Sequence, residues 1–317
     1  MNMIDFLKNK TYPIGLDMTE DVIRVAQLGN TAKGLRLIAG SLKTIPQGIL
    51  YETKEWQTWA QDSIAAMLQN TQFKGREIIA AIPASQVFVD YIKLVRIDHR
   101  NANLDETVLA GIKQKLPFDP DKTIVKYITT EDDSVLVVAS KKEIIDKYLQ
   151  IFEEAKLQVK AINIWPAALT NCYTQFFGRR KSDQQAIVML LNIEQHDTNV
   201  VICRAKKLLF ARSIPIGAKK LHEENAIAEL IEELVNCRRY FASLQKGLQI
   251  ERLVFLSGQQ LSDIRRDHCT SIAEQLKLPA QIGDCLAAVK TQDFHEYGVD
   301  RRQQQYSWAT AFGLSIS

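Results

Sequence analysis

The chain has 317 residues, 46% of them hydrophobic and 24% charged. At roughly 150 residues per domain this predicts about two domains, and the composition excludes a disordered chain. Lys+Arg 40 against Asp+Glu 37 leaves a net charge of +3, too small an excess for a dedicated nucleic-acid binder. The start, MNMIDFLKNK, carries no long apolar stretch with a small-residue cleavage site, and no window is apolar enough to span a bilayer. The N-terminal IDFL reads as a frayed terminus. Five scattered cysteines without a CxxC pair fit neither a zinc site nor a redox motif; they suit a reducing cytoplasm.

Three strands are predicted first: Tyr12 to Asp17, Asp21 to Gly29 and, after a turn at Gly29-Asn30, Gly34 to Pro46. Trp56, Trp59, Ala60, Ile64, Met67 and Leu68 follow at helical spacing. REIIAAIPA, Arg76 to Ala84, is a continuous apolar run and so a buried parallel strand. A β-α-β-β-α-β piece comes next. It comprises a strand from Val87 to Ile97, a helix from Leu104 to Lys115, two strands joined at Glu131-Asp132-Asp133, a helix from Lys141 to Leu157 and the strand QVKAINIW. The polar stretch GRRKSDQQ, Gly178 to Gln185, reads as a linker.

After it, AIVMLLNI, TNVVICRA and KLLFARSIPIG repeat the opening three strands, with Asn192 standing where the first copy has Asp17. A long helix from Leu221 to Lys246, the strand ERLVFLSG, a helix near Leu261 to Leu276, a short strand at Gln281 and a helix with Trp308, Ala311, Phe312 and Leu314 complete the chain. A duplicated β-β-β unit followed by a helix is a large-scale internal repeat.

Several stretches together resemble the PilM family of type IV pilus assembly proteins, within the actin-like ATPase superfamily. They are IGLDMTEDVIRVAQL, IKQKLPFDPDKTIVKY, SVLVVASKKEIIDKYLQIFEEAKLQVKAINIWPAAL, LLFARSIPIGAKKL and ERLVFLSG. The resemblance runs from about Tyr12 to Leu314. It implies an α/β, two-lobed actin-like (ribonuclease H-like, duplicated) fold with an inserted α+β subdomain in the first lobe, placed as in FtsA. The expected division is 12–86 and 164–183 for the first lobe, 87–163 for the insertion and 184–317 for the second lobe, with a helical subdomain near 218–250.

The resemblance also implies a nucleotide site between the lobes, built from Asp17, Thr19, Asn192, Thr198, Asn199, Gly217, Ser257 and Gly258. In such folds, backbone N–H groups of two hairpin loops cradle the phosphates and an aspartate in each loop helps hold magnesium. This chain departs from that pattern. Met18-Thr19-Glu20-Asp21 and Glu194-Gln195-His196-Asp197 replace glycines and small hydroxyl residues, Asn192 replaces an aspartate, and Gln259-Gln260 replaces further glycines. An extra acid about 4 Å from a phosphate oxygen costs ~4 kcal/mol before screening. The expectation is therefore a degenerate site with no bound cofactor, no catalytic residue and no metal. The alternative is a retained ATP and magnesium site in an active actin-like ATPase that drives conformational change or filament assembly.

The family likeness further implies a partner, the cytoplasmic N-terminal tail of a PilN-like bitopic inner-membrane protein. The tail would enter a cleft near Val87, Val89, Pro117 and Phe118. Other pilus or type II secretion subunits are further implied partners, and self-association into a homo-oligomer stays open. Nucleic acid is not expected, and the location is the cytoplasmic face of the inner membrane, reached through partners. His99, His196, His222, His268 and His295 show no metal-binding spacing, and His196 reads as a polar surface residue. Arg179-Arg180-Lys181 reads as a solvated hinge, because lipid attachment takes more charge or an apolar anchor.

Overall fold

A computed structural model describes residues 10–31, 34–69, 72–93, 104–129, 134–256, 266–289 and 307–317. IDFL, the Glu131-Asp132-Asp133 junction and the Ser257-Gly258 pair lie outside the described residues.

In chain order the first elements are β1 (Lys10–Met18), β2 (Val22–Thr31), β3 (Gly34–Thr44), α1 (Lys54–Gln69), β4 (Glu77–Ala81) and β5 (Phe88–Lys93). Next come α2 (Leu104–Ile112), β6 (Thr123–Thr129), β7 (Ser134–Lys141), α3 (Lys142–Glu154), β8 (Gln158–Asn163), α4 (Trp165–Phe176) and α5 (Lys181–Gln185). The second half holds β9 (Ile187–Ile193), β10 (Thr198–Arg204), β11 (Lys207–Ile214), α6 (Ala226–Leu244), β12 (Arg252–Phe255), α7 (Arg266–Leu276), β13 (Ala280–Ile282), α8 (Cys285–Ala288) and α9 (Ala309–Ser315).

Two sheets share one topology. The first runs β3-β2-β1-β4-β8 and the second β11-β10-β9-β12-β13. In each, an antiparallel meander of three strands is extended by two parallel strands. The apolar run at Ile78–Ala81 is buried and parallel to both its neighbours, as its sequence predicts. Sheet β5-β7-β6, with α2 on it, is inserted between β4 and β8 of the first sheet. The duplication read in the sequence is therefore present strand for strand. β2 continues through the predicted Gly29-Asn30 turn, and Thr31 pairs with Gly34.

Packing ties the three sheets together. Trp56 and Ile64 of α1 and Tyr148 and Phe152 of α3 are buried against Ile14, Leu16 and Ile78. Tyr91 of the insertion stacks on Phe210 of the second sheet at 5.6 Å between centroids, nearly parallel. Trp165, read from the sequence as the end of the strand QVKAINIW, instead begins helix α4, a stretch for which the sequence offers no element, and β8 stops at Asn163. Pro166 lies in its first turn, where a missing N–H loses no helical hydrogen bond. The linker is not a free hinge, since Asp183 of α5 is buried and ion-paired to Arg252 at 2.8 Å.

The last helix, expected with the second lobe, lies against β1, β2 and α4. Its Ser315 hydroxyl donates to Pro13 O at 2.8 Å and accepts from Leu28 N at 3.0 Å. Gly313 lets it approach α4, because a Cβ there would fall 1.8 Å from Ala168 O. The atoms it would meet are backbone atoms of Ala168 and cannot rotate away. Gly313→Ala is expected to lose about 3 kcal/mol of stability, the upper range for overpacking, measured by urea denaturation.

Candidate functional site

The sequence places the candidate site where two hairpin loops meet, and the structure brings them together. One loop joins β1 to β2 and the other joins β9 to β10. Asp17 and Asn192 occupy the same place, one residue before the end of β1 and of β9.

Most of the expected phosphate-facing groups are engaged by their own loops. Thr19 N donates to Val22 O at 2.9 Å, and its hydroxyl oxygen accepts from Val22 N at 3.3 Å. Thr198 Oγ1 donates to Ile216 O at 2.6 Å. Asn199 Nδ2 donates to Asp197 Oδ1 at 2.8 Å, and Asn192 Nδ2 donates to Glu194 Oε1 at 2.8 Å. Gly217 permits a close backbone crossing, since a Cβ there would meet Gln195 O and Asp197 N at 2.5 Å. The crossing is fixed by Ala218 N donating to Glu194 O at 2.8 Å and Lys219 N donating to Gln195 O at 3.0 Å.

The centre of the site is a residue that sequence reasoning missed. Arg24 of β2 sits directly opposite Asp17 of β1 and is fully buried. Its Nη2 pairs with Asp17 Oδ2 at 2.9 Å. Its Nη1 donates to both oxygens of Glu194, at 3.1 and 3.0 Å, and to Ser307 O at 2.6 Å. One guanidinium thus joins the first sheet, the second sheet and the segment leading into α9. The signal in the sequence is an arginine within the apolar run VIRVAQLG, which the register of the β1–β2 hairpin sets across from Asp17.

A second bridge lies nearer the surface. Asp21 Oδ1 pairs with Lys219 Nζ at 2.7 Å, and Asp21 Oδ2 with His196 Nε2 at 3.0 Å. His196 is therefore a polar surface residue that also spans the two loops. Exposed pairs of this kind contribute at most about 1 kcal/mol each.

Burial sets the electrostatics. It pushes the Asp17 carboxyl up to about 6, with Arg24 pulling down and Glu194 pushing up. It pushes Asp197 up to about 7, with the negative field of Glu194 adding to the rise. Within this ring of Asp17, Glu20, Asp21, Glu194 and Asp197 the cavity measures about 30 Å³. That accommodates about one or two waters, whereas small-molecule pockets span roughly 300–1,000 Å³. Among the described residues, no group of His, Cys, Asp and Glu is arranged to hold a metal ion.

The four expected cleft residues divide between two clefts. Val87 and Val89 line one of about 540 Å³ with Trp165, His196, Asp197 and Arg212. Pro117 and Phe118 line another of about 650 Å³, between the insertion and the start of α3, with Lys122, Lys141, Lys142 and Asp146. Successive side chains of a strand point to opposite faces. Val87 and Val89 accordingly face away from Phe88, whose ring meets Phe118 edge-on at 6.5 Å.

The profile of the family described as type IV pilus assembly protein PilM matches residues 15–232. Among solved structures, the PilM-PilN type IV pilus biogenesis complex is similar over 96% of this chain and 98% of that one, at 18% identity and a TM-score of 0.75. A Bacteroides thetaiotaomicron protein with an actin-like ATPase fold and unknown function is similar over 91% and 96%, at 13% identity and a TM-score of 0.50. No curated protein sequence matches the chain. The structural likenesses establish the fold as that of the actin-like ATPases.

Removing Arg24 leaves two buried carboxylates facing one another, so Arg24→Ala is expected to cost about 3–5 kcal/mol, read from urea denaturation. The pH response has a definite sign. Asp17 and Asp197 hold their protons more tightly in the fold than in the unfolded chain. Their contribution therefore favours the fold at low pH and is lost as pH rises through about 6 to 7. Urea midpoints should fall from about pH 5 to about pH 8 for the share these groups carry, and Asp197→Asn should flatten the curve.

Proposed function

The chain belongs to the PilM family of type IV pilus assembly proteins, and from that premise we propose that it works as a non-enzymatic adaptor. In this reading it docks the cytoplasmic N-terminal tail of a PilN-like inner-membrane protein and links the pilus machine, or a related type II secretion machine, to its cytoplasmic side. A structurally similar assembly, the PilM-PilN type IV pilus biogenesis complex, supports the choice of partner. Among the described residues no helix is long and apolar enough to cross a membrane, and the proposed place at the inner-membrane face is reached through the partner.

The observation that carries the reading is the contrast between the two kinds of cleft. Among the described residues, the space between the two hairpin loops is about 30 Å³ and ringed by carboxylates. The groove at Pro117 and Phe118 is about 650 Å³ and open. The residues at the interlobe site do not fit a magnesium triphosphate. Arg24 already stands as the cation between Asp17 and Glu194, and a phosphate would meet Glu20 and Asp197. No step of the proposed function runs through nucleotide.

The groove suits an extended peptide. Pro117 and Phe118 supply apolar contact, while Lys122, Lys141 and Lys142 alternate with Asp119, Glu143 and Asp146 around it. An apolar floor fixes affinity and a mixed charged rim fixes register.

The test is a calorimetric titration of the chain with the N-terminal tail peptide of its PilN-like partner. Saturable binding is expected, weakened at least tenfold by Phe118→Ala, the loss of ~1.4 kcal/mol or more. Val89→Ala, in the other cleft, should leave it unchanged. No binding by the parent chain sinks the adaptor reading. Saturable ATP-magnesium binding with turnover would favour the active ATPase instead.

A further inference from the structure

The β9 strand connects two ends of the second sheet with opposite charge. At its C-terminal end stand Glu194 and Asp197, close to Glu20 and Asp21 of the other loop. At its N-terminal end the fold collects basic residues from four separate segments. The first is the approach to β9 itself, with Arg179, Arg180 and Lys181 exposed.

The second segment is the β10–β11 turn. Arg204 pairs in register with Ile187 at the start of β9, and the exposed Lys206 and Lys207 follow. The turn is held to the end of α4 by the Thr174 hydroxyl, which donates to Ala205 O at 2.9 Å. The other two segments are helix exits. β12 and β13 run parallel to β9, so the chain leaving α6 and α7 must return to this same end before entering them. Lys246 and Lys277 lie at those exits and are exposed.

Among the described residues, three carboxylates lie at this end, of which one is ion-paired and two, Glu251 and Glu274, are exposed and fewer than the basic residues. Asp183 is paired with Arg252 at 2.8 Å, and Glu251 Oε1 accepts from Ile187 N at 3.1 Å. Glu274, exposed one turn before Lys277, offsets one charge. The sequence run Arg179-Arg180-Lys181 alone is too short for lipid attachment. The tertiary structure more than doubles it and brings the patch into the range of 4–8 basic residues that anionic membranes recognise.

The geometry points to this end of the second lobe as a contact surface for anionic lipid headgroups. It acts directly, beyond any attachment through a partner protein, and does not depend on the adaptor reading. Two features select a membrane over a nucleic acid. The basic residues sit on turns and helix exits, without an exposed aromatic side chain among the described residues of the patch on which a base would stack. The acidic loops lie a whole strand away, about 20 Å at ~3.3 Å per residue. A charged plane orients such a molecule as a unit, basic end inward and acidic cleft outward. The contact is electrostatic, so it is reversible and falls with salt.

The experiment is co-sedimentation of the full chain with vesicles at low ionic strength. Vesicles containing phosphatidylglycerol are expected to retain the chain, phosphatidylcholine vesicles are not, and added salt should release it. The variant carrying Lys181→Glu, Lys206→Glu and Lys207→Glu should bind the anionic vesicles about 100-fold more weakly. Its circular dichroism should match the parent, and its tail-peptide titration separates loss of this surface from loss of the adaptor cleft. The proposal is overturned if the parent chain ignores anionic vesicles, binds neutral ones equally well, or is unaffected by salt. It is also overturned if the folded variant binds like the parent, or if duplex DNA at the same salt retains the chain more tightly than the vesicles do. Should the variant fail to fold, the lipid and salt comparisons on the parent chain still decide.

Discussion

Arg24 is the contact around which the two halves of the molecule close. Its guanidinium is buried with Asp17 on one side and Glu194 on the other, while it also holds the carbonyl of Ser307. Taking one cation and two anions out of water is costly, and the geometry is tolerable because the opposite charges lie 2.9 and 3.0 Å apart and Nη1 donates to Glu194 and Ser307. That demand fixes the positions of both hairpin loops at once. It also explains why the carboxyl of Asp17 rises despite its salt bridge, because a single positive charge serves two acids in a dry site.

The guanidinium places a positive charge between acids contributed by the two lobes. The outer bridge from Asp21 to Lys219 and His196 reinforces the same arrangement at the rim. Protein contacts thus join the two sheets of the actin-like fold across the cleft. Two open clefts lie at the inserted sheet, one beside β5 and the other between the turn before β6 and the end of β7. The alternation of side chains along β5 separates a face turned to the second lobe, where Tyr91 stacks on Phe210, from a face turned to Phe118.

Charge is arranged by end rather than by amount. The net +3 of the chain conceals an acidic cleft and a basic base at opposite ends of one strand. The separation arises from topology. In a sheet whose outer strands run parallel, every crossover helix returns the chain to the same end, so basic residues distant in sequence gather there without any local run of charge.

The sequence by itself determined most of the alternating and helical segments and the duplicated strand pattern, because hydrophobic periodicity is a local property that survives without knowledge of neighbours. It also located the two loops that the structure brings together. It could not show that residues 165–176 form a helix, since a proline in the first turn of a helix reads in sequence as a break. It took Gly178–Gln185 for a linker because the buried partner of Asp183, Arg252, is 69 residues away. It grouped Val87, Val89, Pro117 and Phe118, which strand alternation sends to two clefts. Above all it passed over Arg24, one polar residue in an apolar strand, whose meaning depends on Glu194 being 170 positions distant in the chain and 3.0 Å away in space. Local patterns wrote the elements, while the partners of buried charges were decided only when the two sheets met, because the energy of a charge in a dry interior is set by what surrounds it in three dimensions.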